Sequence, residues 1–304
     1  MKTRHVDLLL TAIAPAIWGS TYIVTSELLP AGYPITNAML RALPAGFLLL
    51  ALSRQLPPSV QWWWRVFLLG GLNFSVFWIF LFISAYRLPG GVAATLGAVQ
   101  PLVVIFLAYG LLGHRIRALS LLGAISGLFG VALVVLGPEA KVDLLGVAAG
   151  LFASASMALG VVLSRRWQPP VSALTFTAWQ LTAAGLLLVP VAFLLEPPLP
   201  TLTFANISGL VWLSIFGAAF TTYFWFRGLS RLEPSLVSTL GFLSPVTAVV
   251  LGWVFLGEKL TLLQYAGAGL VMLGIWLAQR VHPNPPPPPS GGVTQTLPVR
   301  PDAS

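Results

Sequence analysis

Long apolar runs separated by short stretches of turn-forming residues make up most of the chain. Ten such runs can be counted, at 8–28, 34–53, 64–86, 91–112, 118–137, 143–164, 171–194, 205–227, 234–256 and 261–280. The hydrocarbon core of a bilayer is about 30 Å thick and needs about 20 apolar residues per helix. Inside lipid, a single segment pairs its backbone polar groups only as a helix. The pattern therefore predicts an all-α membrane protein with ten transmembrane helices.

Composition agrees with this interpretation. Of 304 residues, 57% are hydrophobic and only 8% are charged, whereas a soluble domain carries about 25% charged residues. The lipid bilayer is therefore a predicted partner. The net charge of +8 comes from single and paired basic residues in short loops, which does not predict nucleic-acid binding. The chain contains no cysteine, which excludes disulfides and thiol chemistry.

Lysine and arginine positions predict the orientation. If the N-terminus is cytoplasmic and the chain crosses ten times, twelve basic residues fall on the cytoplasmic side and three on the outer side. Basic residues accumulate in cytoplasmic loops. We therefore expect a multi-pass protein of a bacterial-type inner (plasma) membrane, with both termini in the cytoplasm.

The two halves of the chain match each other. Shifting residues 86–137 forward by 144 positions superposes identical residues without a gap. The matches include Arg87 on Arg231, Gly97 on Gly241, Pro101 on Pro245, Gly123 on Gly267 and Gly130 on Gly274. Earlier segments match at smaller offsets, which pair Asp7 with Asp143, Gly46 with Gly185 and Arg41 with Gln180.

This repeat predicts the organisation of the chain. Residues 7–137 form a first five-helix repeat and residues 143–280 a second one, while 281–304 is predicted to be a disordered, Pro-rich cytoplasmic tail. Because five is odd, the second repeat has the opposite orientation in the membrane. Inverted repeats are frequent in secondary transporters, so we expect alternating access to a central cavity. The alternative is that duplication only produced a stable bundle.

These residues also resemble a known family. The resemblance rests on motifs at 18–20, 91–94, 100–101, 231–234, 244–245 and 256–258, together with Arg41. It is to the drug/metabolite transporter superfamily, and specifically to the EamA-type permeases. The resemblance implies ten helices, a central cavity between the repeats and, commonly, export of amino acids or related metabolites.

Two matched glycine–proline motifs are candidates for the cavity wall. They contain Gly97, Gln100 and Pro101 in the first half, and Gly241, Ser244 and Pro245 in the second. A proline inside a helix frees the carbonyl four residues earlier, which here belongs to a glycine in both copies. Such a carbonyl in lipid needs a cavity, water or a partner. We expect substrate-lining kinks, with purely structural kinks as the alternative.

Arg41 lies well inside the second predicted helix. Burying it in a membrane costs roughly 2.5–3.5 kcal/mol on insertion scales, so it should face the interior and have a partner. That partner could be a substrate carboxylate or a backbone carbonyl, such as one freed by a kink at Pro44. Its counterpart Gln180 is polar and uncharged, which predicts an asymmetric site.

Aromatic and small polar residues complete the predicted substrate site. They are Trp18, Ser20, Thr21, Tyr22, Asn73, Trp78, Ser154, Ser156, Trp179, Tyr223 and Trp225. Aromatic walls with a few polar anchors suit an amphipathic small-molecule substrate. For each single aromatic residue, packing against lipid or anchoring at the interface is the alternative.

Two acidic residues stand at predicted helix starts. Asp7 begins the first apolar run and Asp143 the sixth. We expect both to cap their helices, because a carboxylate there accepts hydrogen bonds from unpaired N–H groups.

Other functions are disfavoured. The chain has no phosphate-binding loop motif, no residues that indicate a cofactor or metal, and histidines only at predicted helix ends or beyond, so an enzyme is not predicted. The rival transporter hypothesis is a flippase or carrier of a lipid-like amphiphile or drug. Few ionisable residues lie inside the runs, which favours facilitated diffusion or exchange over proton antiport. A monomer and a homodimer both fit.

Overall fold

The computed structural model describes residues 2–30, 32–87, 96–135, 143–256 and 261–280, and these residues form helices and loops without a β-strand. The predicted tail at 281–304 and the motifs at 91–94 and 257–258 lie outside the described residues.

Fourteen α-helices are described. The first half contains α1 (Lys2–Trp18), α2 (Ser20–Leu28), α3 (Pro34–Ser53), α4 (Val60–Gly70), α5 (Phe77–Arg87), α6 (Gln100–Leu112) and α7 (Ala118–Val135). The second half contains α8 (Leu144–Trp167), α9 (Ala173–Leu195), α10 (Phe204–Ser214), α11 (Thr221–Arg231), α12 (Pro234–Leu240), α13 (Leu243–Leu256) and α14 (Leu262–Gln279).

Six helical stretches within the described residues are long and apolar enough to cross a membrane. They are Arg4–Thr25, Pro34–Ser53, Val60–Ser84, Leu144–Trp167, Ala173–Leu195 and Phe204–Arg231. Shorter apolar helices occupy Gln100–Leu112, Ala118–Leu133 and Tyr265–Ala278. The prediction of an all-α membrane protein is confirmed. The ten crossings stay a prediction, although each predicted run contains described helix.

The first turns of the helices show which capping expectations hold. The Asp143 carboxylate caps α8, accepting hydrogen bonds from the backbone N–H groups of Leu145 and Gly146 at 2.8 and 3.1 Å. The expectation for Asp7 was wrong, because α1 already begins at Lys2. Asp7 therefore lies within the helix, where its carboxylate is free to pair with arginines of α11.

Two π-helical turns interrupt long helices at corresponding places. Gly71–Val76 connects α4 to α5, and Ile215–Phe220 connects α10 to α11. Their first residues are 144 positions apart, which is the offset of the sequence repeat. π-turns are rare and occur frequently at functional sites. The two π-turns are therefore candidate locations for a functional site.

The most extensive helix contacts join one half of the chain to the other. α3 packs along α9, and α7 packs along α14. Glycines allow the helices of the second pair to come very close, because a Cβ atom on Gly274 would lie 2.5 Å from the Gly123 carbonyl oxygen. Small residues at such crossings let membrane helices gain packing energy.

This close approach makes a prediction about stability. Gly274→Ala should destabilise the protein by about 1–3 kcal/mol, the usual cost of forcing an extra carbon into a packed interface. Gly269→Ala on the same helix should be neutral, because its Cβ atom would meet nothing within 4 Å. Thermal unfolding in detergent measures both, and equal midpoints would contradict the described crossing of α7 and α14.

Candidate functional site

Arg41 is buried in the middle of the bundle and bound to the opposite half of the chain. The residue is 6% exposed, and its Nη2 donates a 2.6 Å hydrogen bond to the carbonyl oxygen of Gly217. Gly217 lies in the π-turn before α11 and has no side chain, so its carbonyl is open to Arg41. The described partner is thus a backbone carbonyl, from a facing helix rather than from the turn before Pro44. Pro44 itself lies inside a continuous α3.

The rest of the guanidinium group meets an aromatic ring. Its central carbon lies 4.9 Å from the centre of the Trp78 ring, which is a cation–π distance. Among the described residues, the Nε–H of Arg41 has no hydrogen-bond partner. The buried charge is therefore held by one neutral oxygen and one ring.

Further aromatic and hydroxyl groups line the same segment of α10 and α11. The Trp18 ring packs on Trp225 at 4.9 Å between ring centres, and its Nε1 donates to the Thr221 hydroxyl at 2.9 Å. The Trp212 Nε1 donates to the Ser20 hydroxyl at 2.9 Å. We call the set Trp18, Ser20, Arg41, Trp78, Gly217, Thr221 and Trp225 the Arg41 cluster.

A second polar group forms around the other π-turn. The amide nitrogen of Asn73 donates to the amide oxygen of Gln180 at 2.8 Å and to the Ser164 hydroxyl at 3.3 Å. All three residues are buried. The Asn73 Oδ1 and Gln180 Nε2 atoms have no partner in the protein. We call Asn73, Ser164 and Gln180 the Asn73 cluster.

The two clusters are related by the sequence repeat. Arg41 lies seven residues after the first residue of α3, and Gln180 seven residues after the first residue of α9. Arg41 binds residue 217, and Gln180 binds residue 73, which is 144 positions earlier. Equivalent positions are therefore bonded in both halves, once with a charged donor on a backbone carbonyl and once with a neutral acceptor for a side-chain amide.

The two glycine–proline motifs form helix breaks rather than kinks. Pro101 is the second residue of α6 and Pro245 the third residue of α13, because a proline fits the first turn of a helix without losing a hydrogen bond. The expectation of a freed carbonyl at Gly241 was wrong, since its oxygen accepts a 3.0 Å hydrogen bond from the Ser244 backbone N–H.

The surroundings of these breaks are polar. A Cβ atom on Gly97 would meet nothing within 4 Å. The nearby Ser154 hydroxyl donates to the carbonyl oxygen of Leu96 at 2.9 Å. The Gln100 amide nitrogen has no partner in the protein. At the second break, α13 packs so closely on the turn between α1 and α2 that a Cβ atom on Gly19 would lie 2.6 Å from the Ser244 carbonyl oxygen.

Two predicted aromatic site residues, Trp179 and Tyr223, lie outside both clusters and both helix breaks. The Trp179 Nε1 donates to the loop carbonyl of Gln55 at 2.7 Å, so this residue ties α9 to the loop after α3. Tyr223 packs on its neighbour Phe224, and a separation of two residues along α11 turns it away from Thr221 and Trp225. The side chain of Tyr22 lies outside the described residues.

Three members of the clusters were not predicted. Thr221 carried a usable signal, because it lies four residues before the predicted Trp225 and shares its helix face. Ser164 is a single hydroxyl near a helix end and carried none. Gly217 contributes its backbone carbonyl, and a backbone group leaves no signal in the pattern of side chains.

The fold and the buried polar clusters define a multi-pass membrane protein with a polar interior. The chain belongs to the EamA-like transporter family, whose pattern matches residues 6–136 and 144–279. It is therefore a membrane transporter of the drug/metabolite transporter type, acting on a small molecule across a bilayer.

Its relatives support this assignment over most of the chain. Protein PecM of Dickeya dadantii (strain 3937) is 42% identical over 270 residues, which cover 88% of this chain and 90% of PecM. The uncharacterized inner membrane transporter YedA of Escherichia coli (strain K12) is 28% identical over 269 residues, 86% of either chain. The WAT1-related protein At3g02690, chloroplastic, of Arabidopsis thaliana is 29% identical over 278 residues, 86% of this chain and 66% of the other.

A solved crystal structure has the same fold. It superposes with a TM-score of 0.78 at 21% sequence identity, covering 90% of this chain and 96% of that one.

The Asn73 cluster makes a prediction about stability. Gln180→Leu should lower the thermal stability, because it removes the shorter of the two hydrogen bonds that the buried Asn73 amide donates, which costs about 1–3 kcal/mol. The double change with Asn73→Leu should be less destabilising than the sum of the two single changes. A double-mutant cycle in detergent measures this coupling. Strict additivity would show that the two amides do not interact.

Proposed function

We propose that the protein is a secondary transporter of the inner membrane that exports amino acids or related small metabolites. Two inverted five-helix repeats, 7–137 and 143–280, enclose the pathway and open it alternately to either side. Both termini lie in the cytoplasm in this proposal. The name of YedA, an inner membrane transporter, supports the location.

The observation that carries this proposal is that corresponding residues of the two halves meet each other. In the crossing of α7 and α14, Gly123 lies against Gly274, and Gly130 lies against Gly267. Because Gly123 corresponds to Gly267 and Gly130 to Gly274, exchanging the two halves reproduces the same contacts. The order of the partners is reversed along α14, so the two helices are antiparallel.

A second crossing supports the same relation. Gly46 of α3 lies against Thr182 of α9, and Gly185 of α9 lies against Leu43 of α3. The offset of 139 that pairs Gly46 with Gly185 also pairs Leu43 with Thr182. An exchange of halves that reverses helix direction is a two-fold rotation about an axis perpendicular to the helices. For spanning helices that axis lies in the membrane plane, as in inverted-repeat transporters.

The topology can be tested directly because the chain has no cysteine. We expect Leu56→Cys to react with a membrane-impermeant maleimide only from the cytoplasmic side, and Pro197→Cys only from outside. Both positions are exposed loop residues. A cysteine at Lys2 and one at Arg280 should both behave like Leu56→Cys. Labelling of these two ends from opposite faces of the membrane would refute the even number of crossings.

Arg41 supports an anionic group on the substrate. Its described hydrogen bond goes to a neutral carbonyl, and its Nε–H has no acceptor in the protein. A buried cation is stabilised by an opposite charge, and a carboxylate suits a guanidinium group best. The repeat-equivalent Gln180 is neutral, so only one half of the site would attract a carboxylate. The aromatic rings of Trp18, Trp78 and Trp225 suit the apolar part of an amphipathic metabolite.

Transport assays test this substrate class. Overexpression should protect cells against a toxic excess of the exported metabolite, identified from a panel of amino acids and their analogues. In liposomes, Arg41→Gln should reduce transport of that acid by roughly 10- to 100-fold, the loss expected for a charge-assisted hydrogen bond. The methyl ester of the same compound should lose little, because it presents no carboxylate.

Two further variants separate the claims. Arg41→Lys keeps the charge and should retain part of the activity, and Gln100→Ala tests the break before α6. If transport survives both Arg41→Gln and Gln100→Ala, the site lies elsewhere although the protein remains a transporter.

Running the assay with and without a pH gradient tests the energy source. We expect exchange without a gradient, and a strict requirement for one would establish proton antiport.

A lipid-like amphiphile or drug is the second candidate substrate. An apolar groove of about 560 Å³ lies between α5 and α8, lined by Phe80, Ile83, Arg87, Leu145, Ala148, Ala149 and Phe152. An acyl chain would fit its apolar wall, with an anionic headgroup at Arg87. Protection against lipophilic drugs, or flipping of fluorescent lipids in liposomes, would favour this candidate over an amino acid.

A further inference from the structure

Ion pairs join the two halves of the chain at two places. The Asp7 carboxylate of α1 binds Arg227 at 2.7 Å and Arg231 at 3.2 Å, both on α11. The Asp143 carboxylate at the start of α8 binds Arg87, at the end of α5, at 3.2 Å. Each pair therefore connects the first helix of one repeat to the third predicted span of the other.

The two ion pairs are the same contact made twice. The sequence repeat pairs Asp7 with Asp143, and the offset of 144 pairs Arg231 with Arg87. In the proposed orientation, the Asp7–Arg231 pair lies at the cytoplasmic end and the Asp143–Arg87 pair at the outer end. Unrelated surface salt bridges would not be expected at positions that the sequence repeat makes equivalent.

The two ends differ in how deeply the carboxylate is buried. The side chain of Asp7 is 10% exposed, whereas that of Asp143 is 39% exposed. Arg227 adds a second cation at the cytoplasmic end, and its counterpart at the outer end, 144 positions earlier, is Ile83. Ile83 lines the apolar groove along α5 and α8, beside Arg87. The cytoplasmic pair is therefore the more buried of the two and has an additional cation.

The environment of Asp143 favours its charged form. The pKa of the Asp143 carboxyl lies below its usual value, because the Gly146 N–H and the Arg87 guanidinium donate hydrogen bonds to the carboxylate. The partly exposed outer pair is therefore an ion pair supported by the cap of α8.

We propose that Asp7–Arg231 and Asp143–Arg87 are equivalent latches at the cytoplasmic and the outer end of the pathway, and that they open in turn. The proposal rests on the inverted repeats of the proposed function. When two inverted repeats exchange conformations, the surroundings of Asp7 become those of Asp143 and the reverse. Both latches are closed in the described structure, the cytoplasmic one with the more deeply buried carboxylate, and opening either latch gives access from that end alone.

A single cysteine in place of Ser20, in the Arg41 cluster, reports which end is open without any substrate. In a background with this cysteine, right-side-out and inside-out vesicles are labelled with a membrane-impermeant maleimide. Asp143→Asn and Arg87→Gln should increase labelling from outside relative to inside by about 1.5- to 5-fold, the factor expected for an exposed ion pair. Asp7→Asn and Arg231→Gln should shift the ratio the other way, and by more, because Asp7 is buried.

Controls separate a latch from a general loss of structure. Arg54→Gln removes an exposed cytoplasmic charge outside both pairs and should leave the ratio unchanged. Arg87→Lys keeps the cation opposite Asp143 and leaves the cap of α8 intact, so it should keep the ratio close to the original. If Asp7→Asn does not fold, Arg231→Gln, whose side chain is 51% exposed, tests the same latch.

Two outcomes would overturn the proposal. One is a shift in the same direction for changes at both ends, and the other is an unchanged ratio in variants that keep their thermal stability. The labelling needs no substrate, so it tests the latches independently of transport. If the variants shift the labelling ratio as expected but the protein transports nothing, the proposed function is refuted and the latch proposal is retained.

Discussion

Polar groups inside a bilayer must find their partners within the protein, and the interior of this molecule is arranged around that requirement. Arg41 meets it through a backbone carbonyl offered by a π-turn, and Gln180 meets it through Asn73 in the corresponding turn. The π-turns therefore matter for more than the shape of their helices. One π-turn supplies an acceptor, the Gly217 carbonyl, and the other a donor, the Asn73 amide, at positions that Arg41 of α3 and Gln180 of α9 can reach, and these polar contacts tie the two halves together.

Glycine supplies the other half of the connection between the repeats. Hydrophobic burial does not drive helices together in lipid, because the tails are as apolar as leucine. Close packing must provide the energy instead, and it requires backbones that approach without side chains between them. The paired glycines of α7 and α14, and those of α3 and α9, provide this approach. The crossing of α7 with α14 and that of α3 with α9 hold the two halves together near the axis about which they would rotate in the proposed mechanism.

The two halves share a framework and differ in their charges. Arg41 corresponds to Gln180, and Arg227 corresponds to Ile83. Each substitution changes one end of the molecule without changing the helix that carries it. A duplicated transporter needs the common framework to adopt two related states, and it needs the differences to bind an asymmetric substrate and to favour one state at rest.

By itself, the sequence determined the class of the protein. Its long apolar runs are incompatible with a soluble protein. The offsets between the two halves also pair Asp7 with Asp143 and Arg41 with Gln180 without knowledge of any contact. The sequence also predicted the Asp143 cap and five members of the Arg41 cluster, namely Trp18, Ser20, Arg41, Trp78 and Trp225. Only the tertiary structure decided that Gly217 receives Arg41, that Trp179 faces a loop and that Asp7 binds two arginines. These outcomes depend on which helix lies opposite a given helix face, and in one case on a backbone carbonyl, which the residue type does not reveal. Hydrophobicity and local spacing, in contrast, are properties of each segment alone and can be read from the sequence.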